Sequence, residues 1–252
     1  MLAPTERFSN RVDNYVRYRP GYPAGVIDVL RGECELTADS IVADIGSGTG
    51  KLTELLLECG CRVFGVEPNQ EMRAAAERQF KSHPCFTSIA SAAEATVLAD
   101  RSIDLVVVGQ AFHWFDQKQC RAEFARILKP GGWVVLIWND RRTDATPFLI
   151  AYEALLREFA TDYEKVNHRN IDGTVLRQFF GGEPKLKTYP YAQHFDFAGL
   201  RGRLLSSSYA PEQGQPKHEE MLVELRRIFD AHQQEGRVTF DYDTLVYWGR
   251  LA

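Results

Sequence analysis

Residues 42–50 read VADIGSGTG, and the reading of this stretch decides the fold. An apolar run (Ile41, Val42, Ala43, Asp44, Ile45) leads straight into Gly46, Gly48 and Gly50, and a helical pattern opens at Lys51. Glycine is needed where the backbone takes positive φ or comes within contact of a bound group. The helix that follows offers unpaired N–H groups at its start. The segment is therefore a ligand loop between a strand and a helix.

Spacing separates the ligands such a loop can take. A phosphate-binding P-loop needs a glycine five residues before the Gly50-Lys51 pair and a Ser or Thr after it, where this chain has Ile45 and Leu52. A dinucleotide loop beginning at Gly46 and Gly48 needs a small residue at 51, and Lys51 stands there. Asp44 adds a physical objection, since a carboxylate beside the loop repels a pyrophosphate and attracts an ammonium group. The zwitterionic tail of an amino acid suits the site better.

The pattern acid-x-Gly-x-Gly-x-Gly resembles the first motif of the class I S-adenosylmethionine (SAM) methyltransferases, and the resemblance continues along residues 40–140. A second apolar run, residues 61–66 (CRVFGV), ends in Glu67, placed as the acid that takes hydrogen bonds from ribose hydroxyls. Residues 103–108 form an apolar run with one acid, Asp104, as in a strand buried on both faces of a parallel sheet. Residues 125–138 (ARILKPGGWVVLIW) match the family's helix, Pro-Gly-Gly turn and fifth strand. QAFHWFD (residues 110–116) and YRPGYP (residues 18–23) are similar to the type 11 small-molecule branch, which includes trans-aconitate methyltransferase-like and ubiquinone C-methyltransferase-like enzymes.

The resemblance implies an α/β, Rossmann-like doubly wound sheet of seven strands, mostly parallel with an antiparallel last strand, plus a helical lid insertion. It implies SAM as cofactor and S-adenosylhomocysteine as product, with a small-molecule acceptor attacking through oxygen, nitrogen or carbon by in-line displacement. The cofactor would be held by Asp44, Gly46, Ser47, Gly48 and Gly50, by Glu67 at the ribose, and by Pro68 and Met72 against the adenine. The family places an acid or a backbone amide at the adenine amino group; Ala92 stands there, so the backbone of Ala92 and Ala93 serves. Gln110 falls beside the methionine moiety, and Tyr15 and Arg19 on the N-terminal flap complete the cofactor side. Trp114, Trp138, Arg141 and Tyr209 are assigned to the acceptor pocket, and Arg19, Arg141, Arg142, Arg201 and Arg203 are candidates to bind an acceptor carboxylate. His113 is the candidate general base; the alternative is that it only shapes the pocket, with catalysis resting on apposition of the reactants.

Composition bounds the rest. The 252 residues are 44% hydrophobic, enough for one α/β domain with an elaboration. A net charge of −4 gives no electrostatic footprint for nucleic acid. No apolar stretch reaches the ~20 residues of a membrane span, and the N-terminal residues lack a signal-peptide core, so a cytoplasmic protein is expected. Five scattered cysteines suit a reducing compartment, and the lone C-x-C pair Cys59/Cys61 has no second pair to complete a zinc site, so no metal is expected. Oligomeric state is left open.

The chain reads as a single methyltransferase domain, 1–252. Within it, 1–37 is an N-terminal flap, 38–140 the SAM-binding core, 141–183 the helical lid, and 184–252 late strands and helices completing the sheet. A helix is expected over 146–163 with Thr146 as N-cap and Pro147 in its first turn, and another over 218–233. Strands are expected over 186–197 and at the C-terminus. Two alternatives remain at this stage: an NAD-dependent oxidoreductase, and a non-catalytic SAM- or adenosine-binding module.

Overall fold

The computed structural model describes residues 11–163 and 171–251. Seven strands, β1 (Ile41–Ile45), β2 (Arg62–Val66), β3 (Phe86–Ile89), β4 (Ile103–Gly109), β5 (Leu128–Arg141), β6 (Lys185–Phe195) and β7 (Val238–Gly249), form one sheet in the order β3-β2-β1-β4-β5-β7-β6. The pairs β1–β2, β1–β4, β2–β3 and β4–β5 are parallel. Only β7 runs against its neighbours, antiparallel to both β5 and β6. The order reverses between β1 and β4, which opens a crevice at the carboxyl ends of these strands.

Parallel neighbours need crossover connections, and the helices that make them cover both faces of the sheet. Side-chain alternation then divides each inner strand between two cores. Ala43, Ile45, Val106 and Val108 face one, with Phe112, Phe124 and Trp138; Val42, Val63, Leu105 and Val107 face the other, with Leu52 and Leu56. Burial on both faces is why these strands read as unbroken apolar runs. Of the two edge strands, β3 is short and β6 is long, mostly exposed and carries Pro190, a residue that cannot donate to a further strand.

Nine helices are described: α1 (Val12–Tyr18), α2 (Gly25–Glu33), α3 (Lys51–Glu58), α4 (Gln70–Gln79), α5 (Gln117–Ile127), α6 (Pro147–Phe159), α7 (Gly173–Phe180), α8 (Phe197–Leu205) and α9 (His218–His232). A short 3₁₀ turn, Phe112–Trp114, follows β4. The expected N-cap of α6 is present, the Leu149 N–H donating to Thr146 Oγ1 at 3.2 Å. Its buried residues Phe148, Leu149, Tyr152, Leu155, Leu156 and Phe159 form one stripe. This stripe packs on α8 and α9 and on Phe240 and Tyr242 of β7, forming a third core beside the sheet.

The range 141–183 divides in the structure. α6 belongs to that third core, whereas α7 puts Leu176, Phe179 and Phe180 into the core under β4 and β5, with the Phe179 ring 4.6 Å from that of Phe112. The expected helix over 146–163 ends at Phe159. The N-terminal flap resolves into α1 and α2 from residue 11 onward; residues 1–10 of the flap and 164–170 of the expected lid lie outside the described residues. α1 packs on both α4 and α8, so it spans the crevice. All five cysteines are free thiols. Among the described residues no helix is long and apolar enough to cross a membrane, and no group of His, Cys, Asp and Glu is arranged to hold a metal ion.

Candidate active site

The glycine loop is built by steric necessity. At Gly46 φ is +70°, and a Cβ there would lie 2.6 Å from that of Ala111; at Gly50 φ is +90°, and a Cβ would lie 2.4 Å from the Phe80 ring. The loop is tied to the end of β2, with the Gly46 and Ser47 N–H groups donating to the Val66 carbonyl at 2.8 and 3.2 Å. Glu67 sits at that strand end, buried. Its Oε2 accepts from the Gly48 N–H at 2.9 Å and its Oε1 from the Asn69 N–H at 2.8 Å. Burial still holds its carboxyl above the usual range, against these hydrogen bonds.

These residues open on a cavity of about 230 Å³. Gly46, Gly48, Glu67, Pro68, Met72, Ala92, Ala93, Gln110 and Tyr15 line it, as the sequence leads one to expect, together with Asn69, Glu94, Gly109, Ala111, Trp114 and Phe115. Asp44, Ser47, Gly50 and Arg19 do not. Asp44 is fully buried behind the loop, accepting from Thr53 Oγ1 at 2.6 Å, and burial raises its carboxyl to about 7. Gly50 caps α3 in a left-handed conformation and packs on Phe80. Asn69 was not foreseen, although an Asx residue before a helical run is a capping signal; its side chain accepts from the Met72 N–H.

The cavity fits SAM on two counts. Gly46 and Gly48 line it with bare backbone, and a Cβ on Gly46 would run into Ala111 and Phe115 of the same wall. Each Glu67 oxygen receives one backbone N–H, which leaves lone pairs for hydroxyl donors such as those of ribose.

A second cavity, of about 160 Å³, adjoins the first and shares Tyr15, Gln110 and Trp114 with it. Its walls include His113, Arg141, Tyr209, Tyr22, Tyr242 and Arg203. Arg19, assigned from sequence to the cofactor, lines this cavity instead, because α1 carries it one turn beyond Tyr15 toward α8. Trp138, assigned to the pocket, is a core residue 3% exposed, in edge contact with Phe112 and Tyr247. Along β5 it shares the face of Val134 and Leu136, while Asn139 and Arg141 point into the cavity. Arg141 is paired with Glu153 and with the Tyr163 hydroxyl and lies over the Tyr152 ring. The His113 ring packs against Trp114, 4.8 Å between centroids. Gln110, on the shared wall, has φ of +58° and donates from Nε2 to the Asn139 carbonyl, a strained backbone held at a strand tip. Of the other arginine candidates, Arg142 bonds to Asp243 on the surface, and Arg201 is exposed on α8.

A sheet in this order, with a glycine loop after β1 and an acid after β2, defines the Rossmann-like methyltransferase fold. The family model described as "Methyltransferase domain" matches residues 43–136. Two Schizosaccharomyces pombe proteins named as uncharacterized methyltransferases are similar over nearly the whole chain. One is 33% identical across 95% of each sequence; the other, named methyltransferase-like, is 27% identical across 95% of this chain and 93% of its own. A solved methyltransferase-fold protein from Anaeromyxobacter dehalogenans superposes with a TM-score of 0.67 at 22% identity, covering 93% of this chain and 98% of that one. The chain belongs to this methyltransferase family, whose fold implies binding of SAM.

Proposed function

We propose that this protein transfers the methyl group of SAM to a small-molecule acceptor by in-line displacement. The observation that carries the reading is the pair of adjoining cavities that meet at Tyr15, Gln110 and Trp114. One has the loop and acid suited to a nucleoside with an amino-acid tail, and the other is enclosed by aromatic and cationic side chains.

In this reading Glu67 holds the ribose hydroxyls, Pro68 and Met72 flank the adenine, and the backbone of Ala92 and Ala93 meets its amino group. The backbone at Gly46 and Gly48 accommodates the methionine part, while Asp44, buried behind the loop and bonded to Thr53, holds the loop and helix α3 together. When bound, SAM supplies an electrophilic methyl on a sulfonium. The chain's own contribution is to orient the acceptor and exclude water. Tyr15 and Trp114, on the shared wall, offer aromatic faces to a cation there, an attraction of ~0.5–2 kcal/mol. His113 lies in the acceptor cavity, within the region where a base or a positioning group would act. Helices α1, α6 and α8 form the cover, with the core and the late strands completing a single domain.

The test is calorimetric titration with SAM, S-adenosylhomocysteine and NADH. Binding of the first two without the third is expected. NADH binding without SAM binding would overturn the reading in favour of an oxidoreductase. Binding of SAM with no methyl transfer across a metabolite panel would leave a SAM-binding module.

A further inference from the structure

The second cavity has an unbalanced charge. Arg19, Lys51, Arg141 and Arg203 line it, against the single carboxylate of Asp140 among the described lining residues. Two of these cations are accounted for: Arg141 is paired with Glu153, and Lys51 Nζ donates to the Val16 carbonyl at the rim. Arg19 and Arg203 have no carboxylate partner among the described residues.

Arg203 is 7% exposed. Its Nη1 reaches Ser207 Oγ at a long 3.3 Å, Tyr242 stands beside it on the cavity wall, and its Nε has no hydrogen-bond partner among the described residues. Arg19 donates from Nη2 to the Ser206 carbonyl at 3.0 Å and lies over the Tyr15 ring, and its buried Nε also has no hydrogen-bond partner among the described residues. Burial and the neighbouring Arg203 push the Arg19 guanidinium below its usual range. Two guanidiniums on one cavity, each with a buried Nε left without a hydrogen bond among the described residues, are costly to hold without an anion. Their forks are suited to a planar carboxylate. The walls around them are tyrosine rings, which accept an apolar or unsaturated body.

We infer that the acceptor is a small organic acid, anchored in the second cavity by a carboxylate that Arg19 and Arg203 share. The anchor comes from α1 and α8, outside the matched 43–136 segment, so it belongs to the part of the chain that sets substrate choice. The inference rests on the proposed function, since it names the occupant of that function's second cavity.

The test uses the full chain saturated with S-adenosylhomocysteine. The probes are a calorimetric panel of short mono- and dicarboxylic acids (phenylacetate, succinate, glutarate), their primary amides, and glycerol phosphate. Acids are expected to bind and amides not to. Arg203→Gln and Arg19→Gln should each weaken acid binding about tenfold to a hundredfold, the range for a lost charge-assisted hydrogen bond. Arg203→Lys, which keeps the charge and loses the fork, should fall between. Unchanged S-adenosylhomocysteine affinity in the Gln variants shows that they fold, because Arg19 and Arg203 do not line the first cavity. Amides binding as well as acids, no acid binding at all, or acid affinity indifferent to both Gln substitutions would overturn the inference. Tighter binding of glycerol phosphate than of any acid would overturn the carboxylate assignment. If S-adenosylhomocysteine itself fails to bind, it is the proposed function that falls.

Discussion

Glu67 joins two pieces of the site: it fixes the Gly48 N–H of the loop and presents its remaining lone pairs to the first cavity. Glu67→Ala should weaken S-adenosylhomocysteine binding by ~1–3 kcal/mol, read by calorimetry. Unchanged affinity would mean that the ribose is held elsewhere. Asp44 gives a pH signature. Burial raises its carboxyl to about 7, against an ordinary value near 4, so the native state keeps a proton that the unfolded chain releases between those values. Its contribution to stability is full below about pH 4 and is lost as pH rises toward about 7, by roughly 1.4 kcal/mol per unit. Asp44→Asn removes that slope. Urea unfolding of both proteins at about pH 5 and about pH 7.5 should show the parent losing stability relative to the variant. For His113, whose ring is packed against Trp114, shaping of the cavity rather than proton removal is the expected role. His113→Gln should therefore cost less than about tenfold in turnover, with no new pH dependence, whereas a base would cost ~10²-fold or more.

Among the elements, the glycine turns separate conformation from packing. Gly131 has φ of +81° and open space, with nothing within 4 Å of where a Cβ would lie, while Gly50 has both a positive φ and the Phe80 ring in the way. Gly131→Ala should cost about 1–2 kcal/mol of stability, the strain of a left-handed residue, and Gly50→Ala measurably more. Thermal unfolding compares them. Equal losses would mean that the Phe80 ring moves aside freely.

The elements that sequence revealed were those whose physics is local. Val42 and Val106 belong to strands buried on two faces and so read as apolar runs, and the Thr146-Pro147 start of α6 carries its own capping chemistry. β3 escaped because four partly exposed edge residues make no pattern. α8 escaped because Gly199 and Gly202 disfavour a helix in isolation. The structure explains the second of these: the Tyr18 ring of α1 lies where a Gly202 Cβ would be, so the glycine serves the contact between α1 and α8. With α8 unseen, Arg203 could be named as a candidate but not placed opposite Arg19. The loop and its acid were legible because a short strand-loop-helix unit contains them. The depth of Trp138 was not, since alternation along β5 says which face a side chain takes and not what already covers that face.

Across the molecule, α1 is the strap. Val12 and Tyr15 pack with Met72 and Ala75 of α4, on the side of the first cavity. Arg11, just before the helix, donates to the carbonyls of Leu205, Ser207 and Ala210 and pairs with Glu212, on the side of the second cavity. Hydrogen exchange over residues 11–22 should slow when S-adenosylhomocysteine is added, while α7, buried in the sheet's own core, should not respond. Equal protection of residues 11–22 with and without ligand would count against a mobile cover.

The seating of Tyr15 on Met72 has a kinetic consequence. Tyr15 and Arg19 complete the second cavity only when α1 lies against the wall of the first, so on the proposed function an occupied first cavity prepares the second. Addition should then be compulsory: SAM enters before the acceptor, and the methylated product departs before S-adenosylhomocysteine. In steady-state inhibition, S-adenosylhomocysteine should compete with SAM but not with the acceptor, and the protein without SAM or its product should show no measurable affinity for the acceptor.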